Sequence, residues 1–435
     1  MNTLFKAVTP DEQLQFDEEI RKHTEQYHPF QLKINPFPLG GNYPDAYLSY
    51  TFLSPERRSR IQDFLMSTFV REEFNGLLVK GEYGSGKSHI LHYIREQILS
   101  SSFFGNKALC FLIQNPSVAP EDILLSMLRE VKLGVIQDLI FSSVAAALKE
   151  KYNDAEEFIS NFAISNPQKK LIEVQGDLQW FEDLYGLSYR EFLKRLTDHN
   201  VELNKTAFRD FATEALQNHL NIERSLIDDF VKLITTDGTN NTQSWEVFLS
   251  SRLMSNKKGS LGIEYYLQAF LELFKSKGVR HIYLLVDEFE DLRTQRLTNK
   301  ATVEYLAKLR KMIQHNYKMF SLVLACTRDA WNDLLTLYPA IEDRFPLLID
   351  LVLDKIDLKN VISSYLQRAR LEGQSPQSEY APFTEEAVEL IIEKRAFVLR
   401  HILTEMRALL DIAANKAQKL PIDEKFVLDN ISFNS

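Results

Sequence analysis

The chain has 435 residues, 45% of them hydrophobic and 26% charged, with a formal net charge of −9. That length and composition are those of a soluble globular protein with core enough for two or three domains. No run reaches the ~18 apolar residues of a membrane span, the start MNTLFKAVTPDEQLQ lacks the pattern of a secretory signal, and the acidic balance excludes a surface that coats nucleic acid throughout.

Residues 1–30 read as an acidic amphipathic helix followed by an extended segment, and NPFPLGGNYPDAY (35–47) reads as a loop. Ser54-Pro55-Glu56 has the cap and first-turn proline that open a helix. FNGLLVKG is a short buried strand, SHILHYIREQIL a helix, ALCFLIQN a second strand, and PSVAPEDILLSMLREV starts another helix. From about 120 to 275 no buried strand is evident; segments such as VIQDLIFSSVAAALK and IEYYLQAFLELF are helical in pattern. HIYLLVDEF, VEYLAKLRKMI, FSLVLACTR and LLIDLVL then alternate strand and helix, which predicts a parallel α/β sheet. From 355 to about 418 the pattern is helical again.

Cys110 and Cys326 both lie in the apolar strand runs, so they read as small buried hydrophobes in a reducing compartment. Three clusters could form a local basic patch: Arg57, Arg58 and Arg60; Lys257 and Lys258; and the helix LAKLRKMIQHNYK. Each reads first as a solvated face.

The stretch that carries chemistry is GEYGSGKSH, residues 81–89. Gly81, Gly86, Lys87 and Ser88 satisfy G-x-x-x-x-G-K-[ST] between a strand and a helix, the setting of a phosphate-binding loop. Without Cβ atoms its glycines let main-chain N–H groups approach phosphate oxygens, and the helix turns its positive end to the same anion. The loop residues Gly81, Glu82, Tyr83, Gly84, Ser85, Gly86, Lys87, Ser88 and His89 are therefore the candidate nucleotide-binding set. Lys87 is expected on the β- and γ-phosphates and Ser88 on Mg²⁺. In YLLVDEFEDL, Tyr283 to Val286 make a buried strand whose end presents Asp287 as a second Mg²⁺ group and Glu288 as the carboxylate that polarises water. Glu290 and Asp291 read as solvated or helix-capping. Thr327, at the tip of SLVLACTRD, is placed to orient the water if its strand lies beside the other two. Arg344 and Arg400 are candidates for neutralising charge on the transferred phosphoryl group. Alternatively they form local ion pairs, Arg344 with Glu342 or Asp343, and Arg400 with Glu405 or Glu393.

This order of parts resembles the AAA+ ATPases over about residues 35–115 and 265–418. On that resemblance Gly81, Gly86, Lys87 and Ser88 fall on Walker A, Asp287 and Glu288 on Walker B, and Thr327 on sensor 1. Arg344 falls on an arginine finger acting across a subunit boundary, and Arg400 on the sensor 2 arginine of the lid. Within the family the origin-recognition and transposition-regulator branch is most similar, and GEYGSGKSHIL, KSKGVRHIYLLVDEFEDL and LYPAIEDRF look closest to the ATP-binding proteins of bacterial phage-exclusion (BREX) systems. Two features depart from initiators of that branch: no winged-helix pattern follows the lid, and the interval between Ser88 and Asp287 holds an inserted helical domain of about 150 residues.

The expectation is an α/β P-loop NTPase with a parallel sheet, a large helical insertion and a C-terminal helical lid. Its parts would be a helical extension (1–34), an ATPase core (35–118 and 265–354), the insertion (119–264) and the lid (355–435). ATP and Mg²⁺ are the implied cofactors, hydrolysis to ADP and phosphate the activity, and a homo-oligomer in the cytoplasm the setting, with no membrane contact. The use of the energy stays open between action on DNA or a DNA-bound complex, as in antiphage defence or mobile-element control, and a slow nucleotide-gated switch or scaffold for a protein partner docked on the insertion. A P-loop kinase suits the Asp-Glu pair and the arginines less well than water does as the attacking group.

Overall fold

Five apolar runs form one parallel sheet: β1 (Leu77–Gly81), β2 (Ala108–Ile113), β3 (His281–Val286), β4 (Phe320–Cys326) and β5 (Leu347–Leu351). The strand order is β2-β3-β4-β1-β5, so β4 lies between the phosphate-loop strand and the acidic strand. Every residue of β3 and β4 is buried, as expected of parallel strands covered on both faces. The computed structural model describes residues 25–38, 53–71, 76–116, 119–131, 133–152, 181, 188–192, 205–220, 222–235, 263–294, 297–315, 319–373, 376, 378–416 and 420–431. The helix expected near the N-terminus, most of the 35–47 loop, and Lys257 and Lys258 lie outside those residues.

Helix α1 (Pro55–Arg71) starts at the proline, with Ser54 Oγ accepting from the Arg57 N–H at 3.4 Å. Two of its arginines, Arg57 and Arg60, are engaged within the fold rather than free as a basic patch. Arg57 donates to Val352 O at 2.7 Å and pairs with Asp357 at 3.0 Å; Arg60 donates to Leu348 O at 2.8 Å. They cap carbonyls along the edge strand β5, which would otherwise invite pairing with another chain. Helix α2 (Lys87–Ser100) follows β1, and α3 (Pro120–Glu130) follows β2.

Between β2 and β3 the described residues are helical beyond α3: α4 (Leu133–Lys151), α5 (Lys205–His219), α6 (Arg224–Thr235) and α7 (Ile263–Ser276). Their apolar faces do not form a separate core. Leu148, Phe208 and Phe230 belong to the same buried cluster as Phe111, Leu284 and Leu324 of the sheet. The insertion is thus fused to one face of the sheet by continuous packing. Helix α8 (Asn299–His315) links β3 to β4, and α9 (Arg328–Leu337) with a 3₁₀ turn (Pro339–Arg344) links β4 to β5.

After β5 come α10 (Lys355–Arg368), α11 (Glu385–Lys394), α12 (Leu399–Asn415) and α13 (Glu424–Asn430), around a cluster of their own that includes Ile362, Ile391 and Leu409. Asn35 and Phe37, expected with the α/β unit, pack here instead, together with Tyr27, Phe30 and Leu32. The physical reason is a run of specific contacts. Asn35 Nδ2 donates to Asp411 at 2.7 Å, Lys33 N–H donates to Ala369 O at 2.7 Å, and the buried Phe37 ring meets Tyr365 and Phe383. Cys110 and Cys326 are buried free thiols, both pushed up to about 12 by desolvation. No helix among the described residues is long and apolar enough to cross a membrane.

Candidate functional site

Because β4 lies between β1 and β3, three strand ends meet at one edge of the sheet. The loop after β1 carries Lys87 and Ser88, β3 runs into Asp287 and Glu288, and β4 ends at Thr327. All five line one cavity of about 510 Å³, with Leu399 and Arg400 of α12 closing it from the C-terminal helices.

The loop is built for close approach. Gly86 is the N-cap of α2 with φ +99, a left-handed conformation that other residues adopt only at a cost. Gly84, at φ +75, has its space taken by α12: a Cβ there would stand 3.0 Å from Arg400 Cβ. Lys87 is only 7% exposed, and its ammonium contacts the carbonyls of Gly81 at 3.2 Å and Glu82 at 3.3 Å. It also lies 3.7 Å from Glu290 Oε1. Glu290 was expected in solvent or as a helix cap, but its side chain is 18% exposed and Oε2 is buried with no hydrogen-bond partner. No local signal marks it, because the strand ends at Val286 and Glu288 takes a left-handed φ of +50, so the period-two rule of extended chain does not apply.

Backbone geometry explains how β3 delivers its carboxylates. The ladder continues past the strand: Asp287 N–H donates to Ile113 O at 2.8 Å, and Phe289 N–H to Ala325 O at 3.0 Å. Glu288, between them, takes φ +50. This left-handed residue stores strain at the site while Phe289 stays in the core. Asp287 is 8% exposed and its Oδ1 accepts from the Glu288 N–H at 2.9 Å. Desolvation, then the charges of Asp287, Asp291 and Glu290, push the Glu288 carboxyl up, and Arg400 opposes them. Asp291 is the first residue of a one-turn helix (Asp291–Thr294), and its carboxylate accepts from Asn115 at 3.0 Å.

Thr327 caps α9, accepting from the Ala330 N–H at 3.4 Å, and faces the cavity. Arg400 is not held by Glu405 or Glu393, which pair with Arg395 and Lys355. It lies instead over the Tyr83 ring at 4.6 Å and donates to its hydroxyl at 2.7 Å. Burial, and then His92, bring the His89 imidazole down to about 4, so it is neutral near pH 7.

Some expected residues stand elsewhere. Gly81 ends β1, outside the cavity lining, and offers its carbonyl to Lys87. Glu82 turns outward to Arg328 at 3.5 Å. Ser85 lines a smaller apolar cavity of about 40 Å³ on the other side of the loop, shared with Leu353, Val361 and Tyr365. Arg344 is not in the cavity. A Cβ on Gly76, the residue before β1, would meet its carbonyl oxygen at 1.9 Å, so it sits at the opposite end of the sheet. Its Nε is buried with no hydrogen-bond partner.

The cavity fits a triphosphate that arrives with a divalent cation. Five carboxylates line it (Asp287, Glu288, Glu290, Asp291, Asp333) against three cations (Lys87, Arg293, Arg400), so a bare polyanion would be repelled. Among the described residues no three acidic or histidine side chains form a metal cage. Mg²⁺ is commonly held by one or two protein groups plus the phosphates. Ser88 and Asp287 are the residues present to hold it.

The fold and the loop together define a P-loop NTPase architecture with helical additions. No protein-family model matches the chain. A probable disease resistance protein of Arabidopsis thaliana is 28% identical over 102 residues, which are 23% of this chain and 29% of that protein. The chain thus matches less than a third of that relative's length. Among solved structures, it is similar to the Aeropyrum pernix ORC1 protein in complex with DNA, at TM-score 0.39 and 11% identity, over 89% of this chain and 66% of that one. It is also similar to the Aeropyrum pernix ORC2 protein in ADPNP–ADP complexes, at TM-score 0.43 and 10% identity, over 91% and 74%.

Proposed function

We propose that the protein is a Mg²⁺-dependent ATPase of the AAA+ kind, hydrolysing ATP to ADP and phosphate in a homo-oligomer that acts on DNA or a DNA-bound complex. The observation that carries it is the convergence of Lys87, Ser88, Asp287, Glu288, Thr327 and Arg400 on one cavity. Bound Mg²⁺ would supply positive charge to the β- and γ-phosphates. Ser88 and Asp287 would hold it. Lys87 leaves Glu290 for the phosphates. Glu288, raised above the ordinary carboxylate range, accepts a proton from the attacking water, and Thr327 orients that water. Arg400 brings a charge from the C-terminal helices, so nucleotide occupancy is felt by α10–α13 as well as by the sheet. Arg344 acts from a neighbouring copy. Antiphage defence or mobile-element control is the setting that the sequence resemblance favours.

A second reading, a slow nucleotide-gated switch for a protein partner, is favoured by the net charge of −9 and by the internal bonds of Arg57 and Arg60. The name of the Arabidopsis relative, a disease resistance protein, agrees with a switch as well as with a motor. Steady-state hydrolysis by wild type and Glu288→Gln, with and without duplex DNA, separates the two. DNA-stimulated turnover lost in the variant supports the first. Slow turnover indifferent to DNA, with ATP-driven assembly intact, supports the second. No Mg·ATP binding at all would sink both.

A further inference from the structure

Phosphate-loop chemistry is done by main chain, a lysine and a hydroxyl; it has no use for an exposed aromatic ring at the loop tip. Tyr83 is such a ring, 66% exposed. Its two polar and apolar features are both engaged by one partner. The Arg400 guanidinium lies 4.6 Å from the ring centroid, and Nη1 donates to the hydroxyl at 2.7 Å. A planar guanidinium is suited to stacking and hydrogen bonding at once, and a side chain held at two points keeps few of its rotamers.

The surroundings bring these two residues together rather than leaving their meeting to chance. Gly84, next to Tyr83, admits the start of α12 closely: a Cβ there would stand 3.0 Å from Arg400 Cβ and 3.5 Å from Val398 Cγ1. The turn that leads into α12 has two successive non-glycine residues in the left-handed region, Ala396 at φ +50 and Phe397 at φ +62. Such strain persists where packing imposes it, and here it sets the direction in which Val398, Leu399 and Arg400 meet the loop.

We propose that Tyr83 is a positioning residue for Arg400: its ring and hydroxyl seat the guanidinium at the mouth of the cavity, where it recognises the terminal phosphate of a nucleoside triphosphate. This rests on the nucleotide site argued above. It takes the Tyr83 side chain away from direct nucleotide binding and makes the loop and the C-terminal helices one recognition unit. Arg400 placed there distinguishes a triphosphate from a diphosphate, because only the former extends past Lys87 toward Glu288 and α12.

The test is a double-mutant cycle read in binding rather than turnover. Dissociation constants for Mg·ADP and for a non-hydrolysable Mg·ATP analogue are measured for wild type, Tyr83→Ala, Tyr83→Phe, Arg400→Ala and the double alanine variant. Melting without nucleotide serves as the control for folding. The expected result is that Tyr83→Ala and Arg400→Ala each weaken the analogue about five- to tenfold and ADP by less than about twofold. The double variant is then no weaker than Arg400→Ala, and Tyr83→Phe, which keeps the stack, recovers part of the loss. Multiplying losses in the double variant would overturn the proposal, since Tyr83 would then act without Arg400. Equal weakening of ADP and analogue would also overturn it, returning Tyr83 to direct nucleotide contact. Absence of nucleotide binding by wild type would overturn the site itself, a result distinct from both.

Discussion

Replacing Glu290 with glutamine should tighten binding of a Mg·ATP analogue by about tenfold. Lys87 Nζ lies 3.7 Å from Glu290 Oε1, with side chains 8% and 18% exposed. Two unit charges at that separation attract by about 4 kcal/mol at an effective dielectric of ~20. Most of this does not reach the binding energy, because Lys87 exchanges one anion for another when it turns to the phosphates. The carboxylate that stays behind is what matters. Its Oε2 already lacks a partner, and it stands in a cavity with Asp287, Glu288 and the incoming phosphates. Relief of about 1.4 kcal/mol of that repulsion is a factor of ten in Kd. Glutamine keeps the shape and can still accept from Lys87. Calorimetric titration of both proteins at one fixed ionic strength measures the change, with melting temperature as the control for folding. Unchanged or weaker affinity in a normally folded variant would mean that Lys87 need not leave Glu290, and the reasoning would fail.

Acid sensitivity should trace in part to His281, which is fully buried against Ser321 Oγ at 2.7 Å and is brought down to about 3 by desolvation. The unfolded chain takes up that proton near pH 6.5, so the stability is complete above 6.5 and is lost as pH falls toward 3. At pH 5 the loss is about 2 kcal/mol, and urea unfolding at pH 7.5 and 5.0 should show His281→Gln losing that much less than wild type; equal losses would refute the assignment. Phe37→Ala should cost about 3–5 kcal/mol, because the ring is wholly buried among the C-terminal helices. A loss below about 1 kcal/mol in chemical denaturation would mean that the N-terminal segment is not docked there.

The strands were legible because each is a short apolar run bounded by turn or polar residues, and three of them carry chemistry at their C-terminal ends. The order of the strands was not. Nothing local in SLVLACT says that β4 separates β1 from β3; that follows from long-range pairing of Leu284 with Leu322 and Val79 with Ala325. Glu290 was hidden for a related reason. DEFED reads as a strand end entering solvent unless the ladder bond from Phe289 to Ala325 is known. Arg57 and Arg60 looked like surface charge because the carbonyls they cap lie nearly 300 residues away in sequence. The docking of Phe37 on α10 and beyond was equally invisible, since an NPFP segment carries no periodicity to announce a partner.

Arg344 tests whether the site is complete within one chain. It lies beside Gly76 at the start of β1, and the phosphate loop begins at the other end of that strand. Five residues at about 3.3 Å each put roughly 17 Å between the two ends, further than an arginine side chain spans. If Arg344 assists hydrolysis, it does so in the cavity of another copy, through a head-to-tail contact that pairs this end of one sheet with the mouth of the next. Arg344→Ala and Lys87→Ala proteins should each be nearly inactive alone. Mixed in equal amounts they should regain about a quarter of wild-type turnover, because half the subunits keep Lys87 and half of their neighbours keep Arg344. Full inactivity of a mixture shown to co-assemble would place the function of Arg344 outside the nucleotide site, and its buried Nε would then need a structural partner at the foot of the sheet.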